Sequence, residues 1–369
     1  MAIHVPQHPG DSSVPDLSDP HGRCRHLWLS YVSSSVACGE HFSHHVSVGN
    51  TDEELCNRWM QLSAFTLFYR NHNTYGAIPQ EPYRWPSVAD ASRTAIEIRY
   101  TLLPYWVSDA CHVGKCATSD QLVRQYTLFA NASIAGFPPI RALFYEFPDE
   151  PELFAIDRQW LIGRDILVTP VLTPGATTVD GMRPILVQVP SCQLTSMLGV
   201  FPGRGGVIWR DWYTHAVVNA TSGGNTTLDA PIGHINVHIR DNSALLLHQQ
   251  PAYTIAETRA GPYSLVVSLS GTGTAFGMAY IDDGISPPPT PNRTVTIQIA
   301  DGVLAIRTNG TYVVQPRLST ITLLGAAKPS AVMVQGQQVT EWNYTASTEK
   351  LVLYDLAIDL GEDTSVSWQ

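Results

Sequence analysis

A β-rich mixed fold is predicted for this sequence, with a short helical region ahead of a long series of strands. Three observations predict it. Charged residues make up only 15% of the chain while 27 Gly and 26 Pro supply frequent turns, a balance that suits turn-rich β structure better than long helical arrays. Behind a capping signal at Thr51, apolar residues recur at helical spacing. From Ile140 onward, short β-branched and aromatic runs alternate with turn residues.

Residues 1–48 are rich in His, Ser, Pro and Cys and show no sustained helix or strand period, so we read them as a disordered leader. Order begins at Gly49-Asn50-Thr51-Asp52-Glu53-Glu54. Thr51 and Glu54 have the spacing of a capping box, and Asp52, Glu53 and Glu54 favour the positive end of a helix dipole. Leu55, Trp59, Leu62 and Thr66 then recur at helical spacing, with Met60, Ala64 and Leu67 widening the buried face. A second helix is predicted to begin after Pro86-Ser87 and to run through Ala91, Ala95, Ile98 and Leu102 to Pro104.

The strand candidates follow in order: Ala142 to Tyr145, Ile166 to Thr169, Val207 to Trp209 and Ile235 to Ile239, then Ser264 to Ser268 and Met278 to Ile281. Val295 to Ile299, Ser319 to Leu324 and Leu351 to Tyr354 complete the set. Strands at this spacing suggest β-sandwiches. Pro287 to Pro291 reads as a rigid surface loop.

Composition narrows the function. The net charge of -10, with no basic run, argues against a nucleic-acid partner. No apolar stretch approaches the roughly 18 residues needed to span a bilayer. Six Asn-x-Ser/Thr sequons occur, at Asn131, Asn219, Asn225, Asn292, Asn309 and Asn343, where composition alone would give roughly two. They point to a secreted, glycosylated protein. The first ten residues lack a charged region followed by an apolar one, so no signal peptide is read in this chain, and the true N-terminus is expected to lie elsewhere.

Several phrases resemble glycoside hydrolase family 31, and within it α-glucosidases of the fungal type. Gly49-Asn50-Thr51-Asp52-Glu53-Glu54-Leu55-Cys56-Asn57-Arg58-Trp59 is one. Phe68-Tyr69-Arg70-Asn71-His72-Asn73, followed by Pro79-Gln80-Glu81-Pro82-Tyr83, is another. Arg141-Ala142-Leu143-Phe144-Tyr145-Glu146-Phe147-Pro148, Gly233-His234-Ile235-Asn236-Val237-His238-Ile239-Arg240 and Tyr280-Ile281-Asp282-Asp283-Gly284 continue the family's order. The resemblance implies the C-terminal fragment of a (β/α)8 barrel followed by two β-sandwich domains. Residues 49–140 would close the barrel, 141–255 would form the proximal sandwich and 256–369 the distal one.

The resemblance also implies chemistry. Family members are retaining glycosidases, which need two carboxyl groups roughly 5 Å apart. Their nucleophile Asp sits in a Trp-x-Asp-Met-Asn-Glu phrase and their acid/base Asp follows Trp-x-Gly. Neither phrase occurs in this chain, so no catalytic residue is assigned. Trp209-Arg210-Asp211-Trp212-Tyr213 matches a structural strand of the sandwich region instead. The one active-site group that carries over is His72, which in the family lies at the C-terminal end of a barrel strand and hydrogen-bonds the sugar in the cleaved subsite. From the residues alone, a His capping a loop is the favoured reading, and the matched flanking phrase reverses that preference. Arg70, Asn71 and Asn73 read as shaping the loop, with Gln80 and Glu81 supporting it. The family's disulfide would correspond to Cys38 with Cys56, although Glu40 stands where the family has Phe.

Other candidates have plainer readings. Asp282-Asp283-Gly284 suits a turn after a strand better than half a metal site. His41, His44 and His45 with Cys38 lie in the unmatched leader and make a poor metal site. No cofactor or metal is implied. Two segments have no family counterpart, 107–125 and 182–199. We read both as retained introns, since Val107-Ser108 is what a splice donor encodes and Gln125 what an acceptor encodes, with Gly181-Met182 and Leu198-Gly199 placed likewise. Genuine surface loops are the alternative. Asp241-Asn242 stands where the family has two glycines, and these residues are the cheapest replacements at positive φ.

The function expected is therefore a portion of an α-glucosidase that takes α-glucosides or maltooligosaccharides, inactive alone, with no nucleic-acid or membrane partner. The alternatives are a non-enzymatic secreted carbohydrate-binding protein, or a mis-spliced or pseudogene product.

Overall fold

The structure, a computed structural model, describes residues 35–36, 51–67, 70–71, 78–106, 128, 136–176, 178–179, 199–220, 225–284, 286 and 291–369. It opens with a βαβ unit. Strand β1 (Ser35–Val36) pairs in parallel with β2 (Arg70–Asn71), and helix α1 (Glu53–Ser63) lies between them in sequence. Parallel neighbours need such a crossover. The pair β1–β2 thus takes a strand from the segment 1–48, where no element was expected.

α1 starts one residue away from the predicted cap. Asp52 is the N-cap, and its carboxylate accepts from the Leu55 amide at 2.8 Å. The Thr51 hydroxyl instead lies 2.9 Å from the Cys56 thiol. The buried face is rotated as well: Cys56, Asn57, Met60, Gln61 and Ser63 are buried, while Leu55, Trp59 and Leu62 are only partly covered. Two polar residues can sit inside because Gln61 bonds the Ile232 carbonyl at 2.7 Å and the Asn57 side chain. α2 (Pro86–Thr101) follows with Pro at its first position and buries Val88, Ala91, Ala95 and Ile98, the spacing expected. α3 (Leu103–Trp106) continues it.

The next unit is a five-stranded sheet. β3 (Ile140–Arg141) leads into α4 (Leu143–Glu146), so the run Ala142 to Tyr145 is a helical turn rather than a strand. β4 (Trp160–Ile162) and β5 (Ile166–Thr169) follow. The short strands β6 (Thr178–Val179) and β7 (Gly199–Val200) precede β8 (Trp209–Asp211), and β9 (Asn225–Thr226) and β10 (Leu228–Asp229) precede β11 (Asn236–Arg240). The main sheet runs β3-β4-β5-β11-β8 with antiparallel pairing throughout.

Alternation explains why its strands read as unbroken apolar runs. Trp160, Ile162, Ile166, Val168, Val237 and Ile239 face the helices and pack with Phe65, Ile98, Leu102, Tyr105 and Trp106. Leu161, Leu167 and Trp209 face the other way, against Leu143, Phe147, Leu153 and Phe201. Both faces are buried, so both strand parities must be apolar.

The distal unit is one continuous ladder of eleven strands folded around a single core. It comprises β12 (Ser243–His248), β13 (Tyr263–Ser268), β14 (Ala275–Ile281), β15 (Arg293–Ala300), β16 (Val303–Gly310), β17 (Leu318–Leu324), β18 (Val332–Val334), β19 (Gln337–Val339), β20 (Trp342–Thr345), β21 (Lys350–Leu353) and β22 (Thr364–Trp368). The order is β19-β18-β22-β16-β15-β14-β12-β13-β17-β21-β20. A short helix, α5 (Ile255–Ala260), links β12 to β13 behind a capping box from Thr254 and Glu257. The hydrogen-bonded boundary between the two sheets falls at the turn Asp241-Asn242, ahead of the division at 255/256 drawn from the sequence. Asn242 takes φ +53°, the conformation anticipated for a glycine site.

β12 and β14 approach closely enough that one position must be glycine. A Cβ on Gly277 would lie 1.8 Å from the Ala244 carbonyl oxygen and 2.7 Å from its carbon. Backbone cannot yield as a flexible side chain can. Gly277→Ala is therefore expected to destabilise the fold by about 3 kcal/mol, read from urea denaturation beside the parent chain.

Candidate functional site

The barrel-like unit presents its candidate site at the end of β2. Of that region, Arg70, Asn71 and 78 onward are described, whereas His72 and Asn73 lie outside the described residues. What the structure does show is the clasp beside them. The Asn71 side-chain amide donates to the Gln80 carbonyl at 3.2 Å, and the Gln80 side chain donates to Asn71 Oδ1 at 3.1 Å. Gln80 is buried. The reciprocal pair ties residue 71 to residue 80, so it fixes where the intervening segment leaves and rejoins the unit. Glu81 then precedes the 3-10 turn Pro82–Arg84 and accepts from the Arg84 amide through its carbonyl at 3.1 Å. Gln80 thus holds Asn71, while residues 72–77 of the loop lie outside the described residues.

Two arginines that the sequence reading passed over hold this unit in place. Arg99 of α2 donates to the carbonyls of Ala64 at 2.7 Å, Thr66 at 2.6 Å and Leu67 at 3.3 Å, just beyond the end of α1. Its guanidinium also stacks over Trp106. These carbonyls would otherwise lack helical partners, so Arg99 both satisfies them and directs the chain toward β2. Arg58 of α1 reaches the proximal unit, donating to Ala176 O at 3.1 Å, Ala230 O at 2.8 Å, Pro231 O at 2.9 Å and His234 O at 3.4 Å. Burial lowers its pKa, and the nearby Glu54 opposes that shift. The signal available in the sequence was an arginine inside the apolar stripe of a helix, which must bring its own acceptors.

The remaining candidates have definite places. Cys56 is buried, and Cys38 of the expected disulfide lies outside the described residues. His41, His44 and His45 lie outside them too. Asp282-Asp283-Gly284 forms a turn: the Gly284 amide donates to Asp282 Oδ1 at 2.8 Å, Gly284 takes φ +67°, and Arg259 donates to the carbonyls of both aspartates. Trp209 is buried and bonds the Pro202 carbonyl, while Asp211 accepts from the Tyr213 and Thr214 amides, so that motif is structural. Among the described residues, no group of three or more His, Cys, Asp and Glu is arranged to hold a metal ion. Of the sequon asparagines, Asn219, Asn309 and Asn343 are exposed, and Asn292 is half-buried with its side chain bonded to Tyr280. The Asn225 backbone lies in β9, and Asn131 and Pro287 to Thr290 lie outside the described residues.

Fold and site together define the closing portion of a (β/α)8-barrel hydrolase that carries appended β-sandwich domains. Residues 7–109 match the family description "Glycosyl hydrolases family 31 TIM-barrel domain", and residues 136–245 match "Glycosyl hydrolase family 31 C-terminal domain". The chain belongs to glycoside hydrolase family 31. The barrel match begins at residue 7 and so takes in most of the leader 1–48, which carried no recognisable phrase.

An α-glucosidase of Schizosaccharomyces pombe is 42% identical over 310 residues, 84% of this chain and 28% of that protein. An α-glucosidase of Aspergillus niger is 42% identical over 308 residues, 83% of this chain and 27% of that protein. The chain thus spans less than a third of the length of these curated relatives. Among solved structures, the glucosidase II α subunit superposes with a TM-score of 0.68 at 24% identity, over 87% of this chain and 33% of that one, which speaks to the fold. No helix among the described residues is long and apolar enough to cross a membrane.

Buried histidines make the stability of the β units depend on pH. Burial holds His215, His238 and His248 down to about 4. Lys350 adds to the shift at His215 and Arg259 to that at His248, while Asp211 opposes it at His215 and His238. Their folded values lie below the ordinary value near 6.5, so between the two the unfolded chain binds more protons. Stability is full above about pH 6.5 and is lost as pH falls toward 4, by on the order of 1 kcal/mol or more per group. Melting temperature measured from pH 7 to 4 should fall across that window, and His238→Gln should flatten the slope.

The clasp predicts a second outcome. Gln80→Glu replaces the donor to Asn71 Oδ1 with a carboxylate, setting two acceptors against each other. It should destabilise the chain by about 1–3 kcal/mol, whereas Asn71→Asp with Gln80→Glu should recover nothing. Chemical denaturation of both variants checks this.

Proposed function

We propose that this chain is the C-terminal portion of a retaining α-glucosidase that releases terminal α-linked glucose from oligosaccharides. One observation carries the reading. Two consecutive family-31 domains match in the family's order, on a chain 42% identical to α-glucosidases from two fungi. In this role His72, next to the clasped Asn71, hydrogen-bonds the sugar in the cleaved subsite, and an imidazole can donate to or accept from a hydroxyl. The β-domains buttress the barrel end through the shared core and Arg58.

Retaining hydrolysis needs two carboxyl groups roughly 5 Å apart across the scissile bond. Neither of the family's carboxylate phrases occurs among the 369 residues, so the chain by itself binds or scaffolds but does not cleave. The six sequons support a secreted, glycosylated protein, and Asn219, Asn309 and Asn343 offer exposed acceptors.

The purified chain should show no turnover of p-nitrophenyl α-glucoside above the buffer rate. Measurable hydrolysis with retained anomeric configuration would overturn the reading of this chain as inactive alone. Calorimetric titration with maltose serves as the second arm, and tight binding would favour a carbohydrate-binding protein without catalysis.

A further inference from the structure

The ladders β6–β10 and β7–β9 share one partner segment. β9 and β10 are separated by Thr227 alone. Thr178 faces Asp229 and Val179 faces Leu228, both antiparallel. Gly199 faces Thr226 and Val200 faces Asn225, again antiparallel. From Leu228 to Thr226 the partner advances two residues, while from Val179 to Gly199 the chain advances twenty, so eighteen residues have no place in the ladder. Two independent strands could meet this partner in any register. Here the two ladders are offset by an even number of residues along the same partner, so backbone parity is kept, which a slip by one residue would have inverted.

We infer that 178–179 and 199–200 are one strand, split by an eighteen-residue insertion that the fold does not need. A single residue opposite Thr227 would complete it, since two steps along a strand cover about 7 Å. The sequence makes the assignment unambiguous at the level of the product. Residues 181 and 199 are both Gly, so removing 181–198 and removing 182–199 leave the same chain, Thr-Val-Asp-Gly-Val. Glycine also suits its place: a Cβ on Gly199 would lie 2.8 Å from Leu228 Cδ1. The length agrees with that of the segment 182–199, which family phrasing alone marks as extra. The pairing register, a property of the backbone, reaches the same number by a separate route. The inference does not depend on the chain's activity.

Deletion of 181–198 from the full chain tests it. The shortened protein should be soluble, with an unchanged far-UV spectrum and a melting temperature equal to or above the parent's, because a loop that closes on itself is an entropic cost. Slow amide exchange should persist at the backbone positions of β7, β9 and β10. Loss of folded product, a lower melting temperature or fast exchange in that ladder would overturn the inference. A second variant keeps the length and replaces the eighteen residues with a Gly/Ser sequence. An unchanged melting temperature supports the inference, and a fall of several degrees would show that the segment makes contacts the fold relies on.

Discussion

Strand β12 is apolar on both sides, and the other units are arranged to cover it. Ala244 and Leu246 belong to the core of the eleven-stranded sheet. Leu245 and Leu247 belong to the core formed by the helices and the five-stranded sheet. One strand is therefore the common wall of two hydrophobic cores. Removing either core would expose alternate residues of β12 to water, so the units on its two sides are coupled through apolar burial rather than through a flexible linker. The close approach of Gly277 to Ala244 follows from the same crowding.

Directional bonds then set orientation where apolar contact cannot. Burial of Phe65, Ile98 and Tyr105 against Trp160, Ile162 and Ile166 is nonspecific about rotation. Arg58 removes that freedom by matching four carbonyls at once, and the Tyr105 hydroxyl does so by donating to Ile162 O at 2.8 Å and accepting from the Asp165 amide at 3.2 Å. The latter contact leaves no room beside it: Gly163 takes φ +58°, and a Cβ there would lie 2.3 Å from the same hydroxyl. From these anchors the order runs outward through Arg99 to the end of α1, then to β2 and the Asn71–Gln80 clasp. The end of β2 is thus positioned by contacts that run back to the β-domain side of the molecule.

The strands that the sequence places were legible because their residues are β-branched and bounded by turns, whereas β4, β12, β16 and β22 were not foreseen. Ile166–Thr169, Tyr263–Ser268, Arg293–Ala300 and Leu318–Leu324 lie where the sequence places them, within a residue or two. Ala142 to Tyr145 misled because a short apolar run has no period of its own, and here the local chain turns into α4 behind β3. The cap of α1 slipped from Thr51 to Asp52 because both residues can cap, and the Thr51 hydroxyl is engaged by Cys56. Short strands such as β18 and β19 carry too few residues to announce themselves, and only ladder partners make them strands. At the site, Asn71 and Gln80 were legible as loop supports, but their mutual bonds were not, since nine residues of sequence separation say nothing about contact.

The sequence by itself determined the family and the order of its parts. Its phrases from Gly49 to Gly284 preserve local patterns of caps, turns and alternation, and such patterns act within a few residues of one another. Only the tertiary structure decided that β12 serves two cores, that Arg58 binds carbonyls more than 100 residues away, and that 178–179 and 199–200 pair with one partner segment. Each of those is a relation between distant segments. Burial and backbone pairing fix such relations in space, and no local propensity encodes them.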